Sequence, residues 1–126
     1  MTRLTLRIDF DGDRAIGPGK IRLLELIDAK GSISAAGREM AMSYRRAWLL
    51  VDNLNRCFRE PVVAAQTGGA RGGGAALTAL GHEVVKHYRA IEKSAAAAGS
   101  DHVGALAAAL ADMAEPPEAR EPPLGD

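Results

Sequence analysis

Residues 31–48 run Gly31-Ser32-Ile33-Ser34-Ala35-Ala36-Gly37-Arg38-Glu39-Met40-Ala41-Met42-Ser43-Tyr44-Arg45-Arg46-Ala47-Trp48, and how they fold decides the architecture. Ser34 is placed to cap a short helix through Met40, in which Ala36 and Gly37 are small enough for another helix to approach closely. Ala41-Met42 reads as a turn. A new helix opens at Ser43, whose hydroxyl can accept from backbone N–H groups of the first turn. Ala47, Val51, Leu54 and Phe58 lay an apolar stripe along this helix, and Pro61 ends it. Leu49 and Leu50 make it more apolar than a freely solvated helix, which predicts packing against another element. Trp48 reads as a packing anchor.

Upstream, Leu4, Leu6, Ile8 and Phe10 alternate with Thr5, Arg7 and Asp9, the period-2 pattern of a half-buried strand that ends in the turn signal Asp11-Gly12-Asp13. After Gly17-Pro18-Gly19 a helix begins near Lys20 with Ile21, Leu24 and Ile27 on one face, and Gly31 stops it. Downstream, Val62 to Gln66 reads as a strand, Thr67 to Gly74 holds five glycines in eight residues, and Ala75-Ala76-Leu77 returns as a second strand. That is a hairpin with a long tip. Thr78 caps a long helix carrying Val84, Tyr88, Ile91 and Ala95 at 4-3-4 spacing, a narrow coiled-coil-like seam. The order of elements is that of a winged helix-turn-helix, mainly α with a small β component, with a long C-terminal dimerisation helix. Residues 1–98 are expected to form this domain, an order of elements that suits DNA binding and dimerisation. Residues 99–126, rich in alanine, proline and acid, are expected to be largely disordered, apart from helix around Val103 to Met113.

The 126 residues balance 16 Lys+Arg against 16 Asp+Glu. That neutrality conceals segregation. Residues 30–75 hold seven positive and three negative side chains, a net of +4, and six of the seven are arginines. Residues 99–126 hold one positive and six negative, a net of −5. Charges are screened within about 8–10 Å at physiological salt, so the local balance is the one a partner meets. No run of membrane-spanning length and no apolar leader occurs, which predicts a cytoplasmic protein with no membrane partner. Aromatic residues are only 4%, so the core is small and a second copy of the chain is expected to help it fold.

The first residues of a recognition helix approach base edges, and here they are Ser43, Tyr44, Arg45 and Arg46. Arginine's planar fork matches the O6/N7 edge of guanine or a pair of phosphate oxygens. Two arginines opening a helix also suit a solvated face, and that alternative stands beside the first. In the hairpin tip, Gly72 and Gly73 allow the backbone close to the sugar-phosphate chain and Arg71 is the one charged reader; a merely flexible loop is the alternative. The tip lacks the lysine of a phosphate loop. His82 and His87 fall about 140° apart around a helix and cannot jointly hold a metal. With no paired carboxylates and no nucleophile constellation, neither a catalytic site nor a metal or other cofactor is predicted. Cys57, the single cysteine, matches no ligand spacing and reads as helix packing.

Three segments together resemble the N-terminal DNA-binding domain of ModE-type molybdate-responsive transcriptional regulators. They are Gly31 to Gly37, Met42 to Trp48, and the glycine-rich Thr67 to Ala75 with Leu77-Thr78; the likeness runs from about Leu4 to Lys93. The resemblance implies a winged helix-turn-helix that dimerises through its terminal helix and binds double-stranded DNA as a homodimer. It places recognition on Ser43 to Arg46 and the wing role on Arg71 and its glycines. The molybdate-binding region of such regulators follows this domain. Molybdate binding is therefore not expected from this chain alone.

The expectation is a sequence-specific DNA-binding transcriptional regulator, tied by ancestry to molybdenum-related genes, with its dimer held by Val84, Tyr88 and Ile91. The alternative is a protein-interaction adaptor that keeps the fold and partners a full-length regulator. It follows from the short tail and the modest +4.

Overall fold

The computed structural model describes residues 2–67 and 74–112. Along the chain run β1 (Ile8–Asp9), β2 (Ala15–Ile16), α1 (Pro18–Lys30), α2 (Ile33–Glu39), α3 (Tyr44–Cys57), β3 (Val63–Gln66), β4 (Gly74–Leu77), α4 (Ala79–Ala98) and α5 (Ser100–Ala108). The chain is mainly helical, with two small antiparallel sheets.

The first strand is shorter than its alternating pattern. Only Ile8 and Asp9 are paired, with Ile16 and Ala15 opposite them across a turn in which Gly12 and Asp13 both take positive φ. Only Leu6 and Ile8 of the alternating face reach partial burial, because α4 supplies cover there, while Leu4 stays exposed and Phe10 is covered only on the side of the Phe58 ring. The strand Ala15–Ile16 carries no alternation of its own, being two residues long, and so leaves no periodic signal in the sequence.

Pro18 opens α1, where its fixed φ suits the first turn and its missing N–H leaves no bond unmade. Gly31 closes the helix at φ 75°, donating its N–H to the Ile27 carbonyl at 2.8 Å. Ile21, Leu23, Leu24 and Ile27 are fully buried and make α1 the centre of the core. Immediately after Gly31 the chain turns extended at Ser32, and its hydroxyl, not that of Ser34, accepts from the Ala35 N–H at 3.0 Å. A cap needs extended backbone, which the left-handed glycine before it provides at Ser32. Ser34 lies inside the helix and accepts from Arg38 instead.

Between α2 and α3, Ala41 adopts φ 56° and the Met42 N–H returns to the Gly37 carbonyl at 3.0 Å. Ser43 then caps α3, accepting from the Arg46 N–H at 3.1 Å. A Cβ built on Gly37 would lie 3.0 Å from the Ala47 Cβ, so the two helices touch where only glycine fits comfortably. α3 finishes at Cys57, four residues before Pro61, and Asn55 accounts for that. Its side chain accepts from the N–H groups of Val62 and Val63 and donates to the Val63 carbonyl, pinning the last turn to β3.

β3 and β4 pair antiparallel from Val63↔Leu77 to Gln66↔Gly74. The hairpin is fastened at its base by Ala75 N–H to the Gly31 carbonyl and by Thr78, whose hydroxyl donates to the Pro61 carbonyl at 2.7 Å and accepts from Gly81. Gly81 sits so close to β3 that a Cβ would meet the Val62 carbonyl oxygen at 2.1 Å. α4 returns across α1. Its Tyr88 is fully buried and donates its hydroxyl to the Leu6 carbonyl at 2.7 Å, while Arg89 grips Glu25 of α1 through two nitrogens at 2.6 and 3.1 Å. Helix α5 begins three residues ahead of the helix expected around Val103, and none of its residues is buried.

Candidate nucleic-acid interface

The capped start of α3 carries the candidate interface. Ser43 is occupied as the cap, and Tyr44, Arg45 and Arg46 project from the first turn, all exposed. The helix is held from the opposite side by Ala47, Val51 and Leu54, which are buried. Among the described residues neither Arg45 nor Arg46 forms an ion pair, whereas Arg56 lower on the helix is engaged by Asp52 at 2.6 Å. The face therefore presents two unengaged guanidinium forks at a helix N-terminus, where unsatisfied N–H groups add positive potential.

Beside them lies a shallow depression of about 460 Å3 whose lining includes Lys20, Ser43, Arg45, Arg46 and Asn53. Lys20 reaches across from α1, donating to the Ala15 carbonyl at 2.9 Å and to Asn53 Oδ1 at 3.0 Å. Sequence reading did not single out Lys20 or Asn53. They stand 33 positions apart in the chain, and neither belongs to a periodic pattern.

Two expectations for α3 change. Trp48 is 46% exposed and Leu49 47% exposed, so neither anchors packing; Leu50 is half-buried against the core. The reason is rotational. At about 100° per residue, Leu49 falls roughly 160° from both Ala47 and Val51, on the far side of the helix, and Trp48 roughly 100° from Ala47 and 60° from Val51, at the margin of the buried stripe. Arg71, Gly72 and Gly73 of the hairpin tip lie outside the described residues.

The residues expected at a dimer seam are distributed unevenly. Tyr88 and Val84 are buried in the chain's own core, and Ile91 is 46% exposed. All three nevertheless border one apolar groove of about 370 Å3, together with Ile8, Phe10, Ile16, Phe58 and Leu80. Phe10 and Phe58 meet edge-to-face at 6.5 Å along it. A 4-3-4 seam reports apolar burial without saying whether the same chain or another provides it. His82 approaches Asp28 at 3.8 Å and His87 approaches Glu83 at 3.3 Å, so the two histidines have separate partners.

Over 93 residues the chain is 41% identical to the molybdenum transport protein ModE of Azotobacter vinelandii, a match covering 72% of this chain and 34% of that protein. Its relatives are ModE-type regulators and Mop proteins. Over 81 residues it is 44% identical to the molybdenum-pterin-binding protein MopB of Rhodobacter capsulatus, covering 64% of this chain and 30% of MopB. Over 71 residues it is 37% identical to the DNA-binding transcriptional dual regulator ModE of Escherichia coli K12, covering 56% and 27%. No family model matches the chain. The chain spans about a third of the length of the curated relatives it matches. These relatives are named, in turn, as a transport protein, a pterin-binding protein and a transcriptional regulator. Among the described residues no helix is long and apolar enough to cross a membrane.

Proposed function

We propose that the chain is a sequence-specific DNA-binding transcriptional regulator with a winged helix-turn-helix fold, acting as a homodimer. α3 is the recognition helix, β3 and β4 the arms of the wing, and α4 with the β1 segment the dimer face. The observation that carries this reading is the Ser43-capped start of α3, packed on α2 where Gly37 meets Ala47 and presenting Arg45 and Arg46 with no carboxylate partner among the described residues. Ser43, Tyr44, Arg45 and Arg46 contact the groove and its flanking phosphates, and Arg71 with Gly72 and Gly73 contacts the backbone beyond. The names of its relatives point to molybdenum-linked genes as the regulated set.

The test is titration of the protein against genomic fragments at several salt concentrations. Binding to a specific fragment should weaken steeply as salt rises, because each neutralised phosphate releases a counterion. Arg45→Ala should lower specific affinity by roughly 1–3 kcal/mol and relax sequence preference. Equal binding by wild type and Arg45→Ala would remove α3 from the recognition role. The adaptor reading is favoured by one observation, the exposure of Trp48 and Leu49 on α3. It requires that no DNA bind even at low salt.

A further inference from the structure

Over its first two turns the exposed face of α3 is made of Tyr44, Arg45, Arg46, Trp48 and Leu49, and three of these five are large and apolar or aromatic. The core does not need them, since Ala47, Val51 and Leu54 already fill the buried side. Leaving such side chains in water forgoes the burial that stabilises apolar groups elsewhere, so a face of this kind points to an occupant. Its surroundings say which. Arg45 and Arg46 share it, Lys20 lines the depression beside Leu49, residues 30–75 carry a net +4, and an apolar patch bordered by arginines and a lysine suits a polyanion. The apolar group that duplex DNA displays in its major groove is the C5 methyl of thymine.

We propose that Trp48 and Leu49 are specificity-determining residues that pack on thymine methyl groups, on either side of the base edge addressed by Arg45. This rests on α3 being the recognition helix and names what that helix distinguishes. Arg45 and Leu49 lie one helical turn apart on one line and Tyr44 and Trp48 on the adjacent line, so the four present two apolar contacts alongside one hydrogen-bonding fork. Replacing thymine by cytosine at those positions removes the methyl and turns the acceptor edge into a donor.

The experiment uses the full chain and a duplex that the protein itself enriches from a random library. Each thymine of the enriched duplex is replaced singly by deoxyuridine, which deletes the methyl and keeps the pairing. Wild type should lose roughly 3–5-fold in affinity at one or two thymines, the scale of one buried methyl group. Leu49→Ala or Trp48→Ala should bind the thymine and uracil duplexes alike at its own position. Both side chains are solvent-facing, so the variants should melt as wild type does, and a melt measured alongside verifies this. If uracil substitution changes nothing, or if both variants remain as sensitive to it as wild type, the proposal is overturned while the DNA-binding reading stands on the enriched duplex. If no duplex is enriched, both fall.

Discussion

The outward face of α3 and the groove beside α4 both leave large apolar side chains facing water, and they differ in the charge around them. On α3, Tyr44, Trp48 and Leu49 share the exposed first turns with Arg45 and Arg46, and Leu49 borders the depression that Lys20 also lines. Among the described residues the groove's lining holds no arginine or lysine, with Glu83 and His87 its ionisable side chains besides buried Tyr88; Arg14 neighbours Phe10 and Phe58 only outside it, beside Asp9 and Asp11. Apolar exposure alone would assign the two surfaces the same role. The charge separates them. A cationic surround lowers the cost of meeting phosphate, whereas a groove without cations suits another apolar surface such as a second copy of the chain.

The comparison breaks first at the glycines that seat each surface. Gly81→Ala would drive a Cβ into the Val62 carbonyl, a backbone atom that cannot rotate away, so α4 must lift from the hairpin. About 3 kcal/mol of stability should be lost, read by chemical denaturation. Gly37→Ala meets the Ala47 methyl at 3.0 Å and Met42 only at ordinary contact distance, and should cost less. If Gly81→Ala is the milder of the two, the account of how α4 is anchored is wrong. A crossed pair of surface variants is next in size. Ile91→Asp should weaken self-association by roughly 2 kcal/mol in sedimentation experiments through lost burial and a buried charge, without altering contact between one subunit and one half-site. Arg45→Ala should do the reverse, weakening DNA binding and sparing association. Loss of both properties in either variant would show that the surfaces are not separate.

How much of this was legible in sequence depends on whether a signal is local. Gly31, Ser43 and Thr78 sit where the sequence places them because a stop or a cap is decided within one turn of backbone. Ser32 and Ser34 lie two apart in the same chemistry, and only the left-handed Gly31 decides between them. The groups that fasten elements together were silent: Asn55 to β3, Lys20 to Asn53, Arg89 to Glu25. Each is a polar residue whose partner is fixed by tertiary approach. Trp48 was misread although the stripe of Ala47, Val51 and Leu54 was in view, because it lies only about 60° from Val51, at the margin where angular position does not decide burial.

The smallest effect concerns the floor of the groove. The Tyr88 hydroxyl ties Leu6 to α4, and Tyr88→Phe should cost about 1 kcal/mol. Burial pushes the Tyr88 pKa above its ordinary value of 10.0, the nearby Glu92 carboxylate adds to the shift, and Arg89 opposes it. The folded state therefore holds this proton more tightly than the unfolded chain does. The stability linked to it is complete below about pH 10 and is lost as pH rises from there through the folded-state value. In denaturation measured across the alkaline range, wild type should lose its advantage over Tyr88→Phe as pH climbs past about 10. The two curves should converge there, since the phenylalanine has no proton to release. DNA affinity at neutral pH should be equal in the two proteins, because Tyr88 belongs to the α4 groove and not to the face of α3. A gap that stays constant with pH would mean that the hydroxyl is exposed to solvent, and that the N-terminal segment is not fastened over α4 in this way.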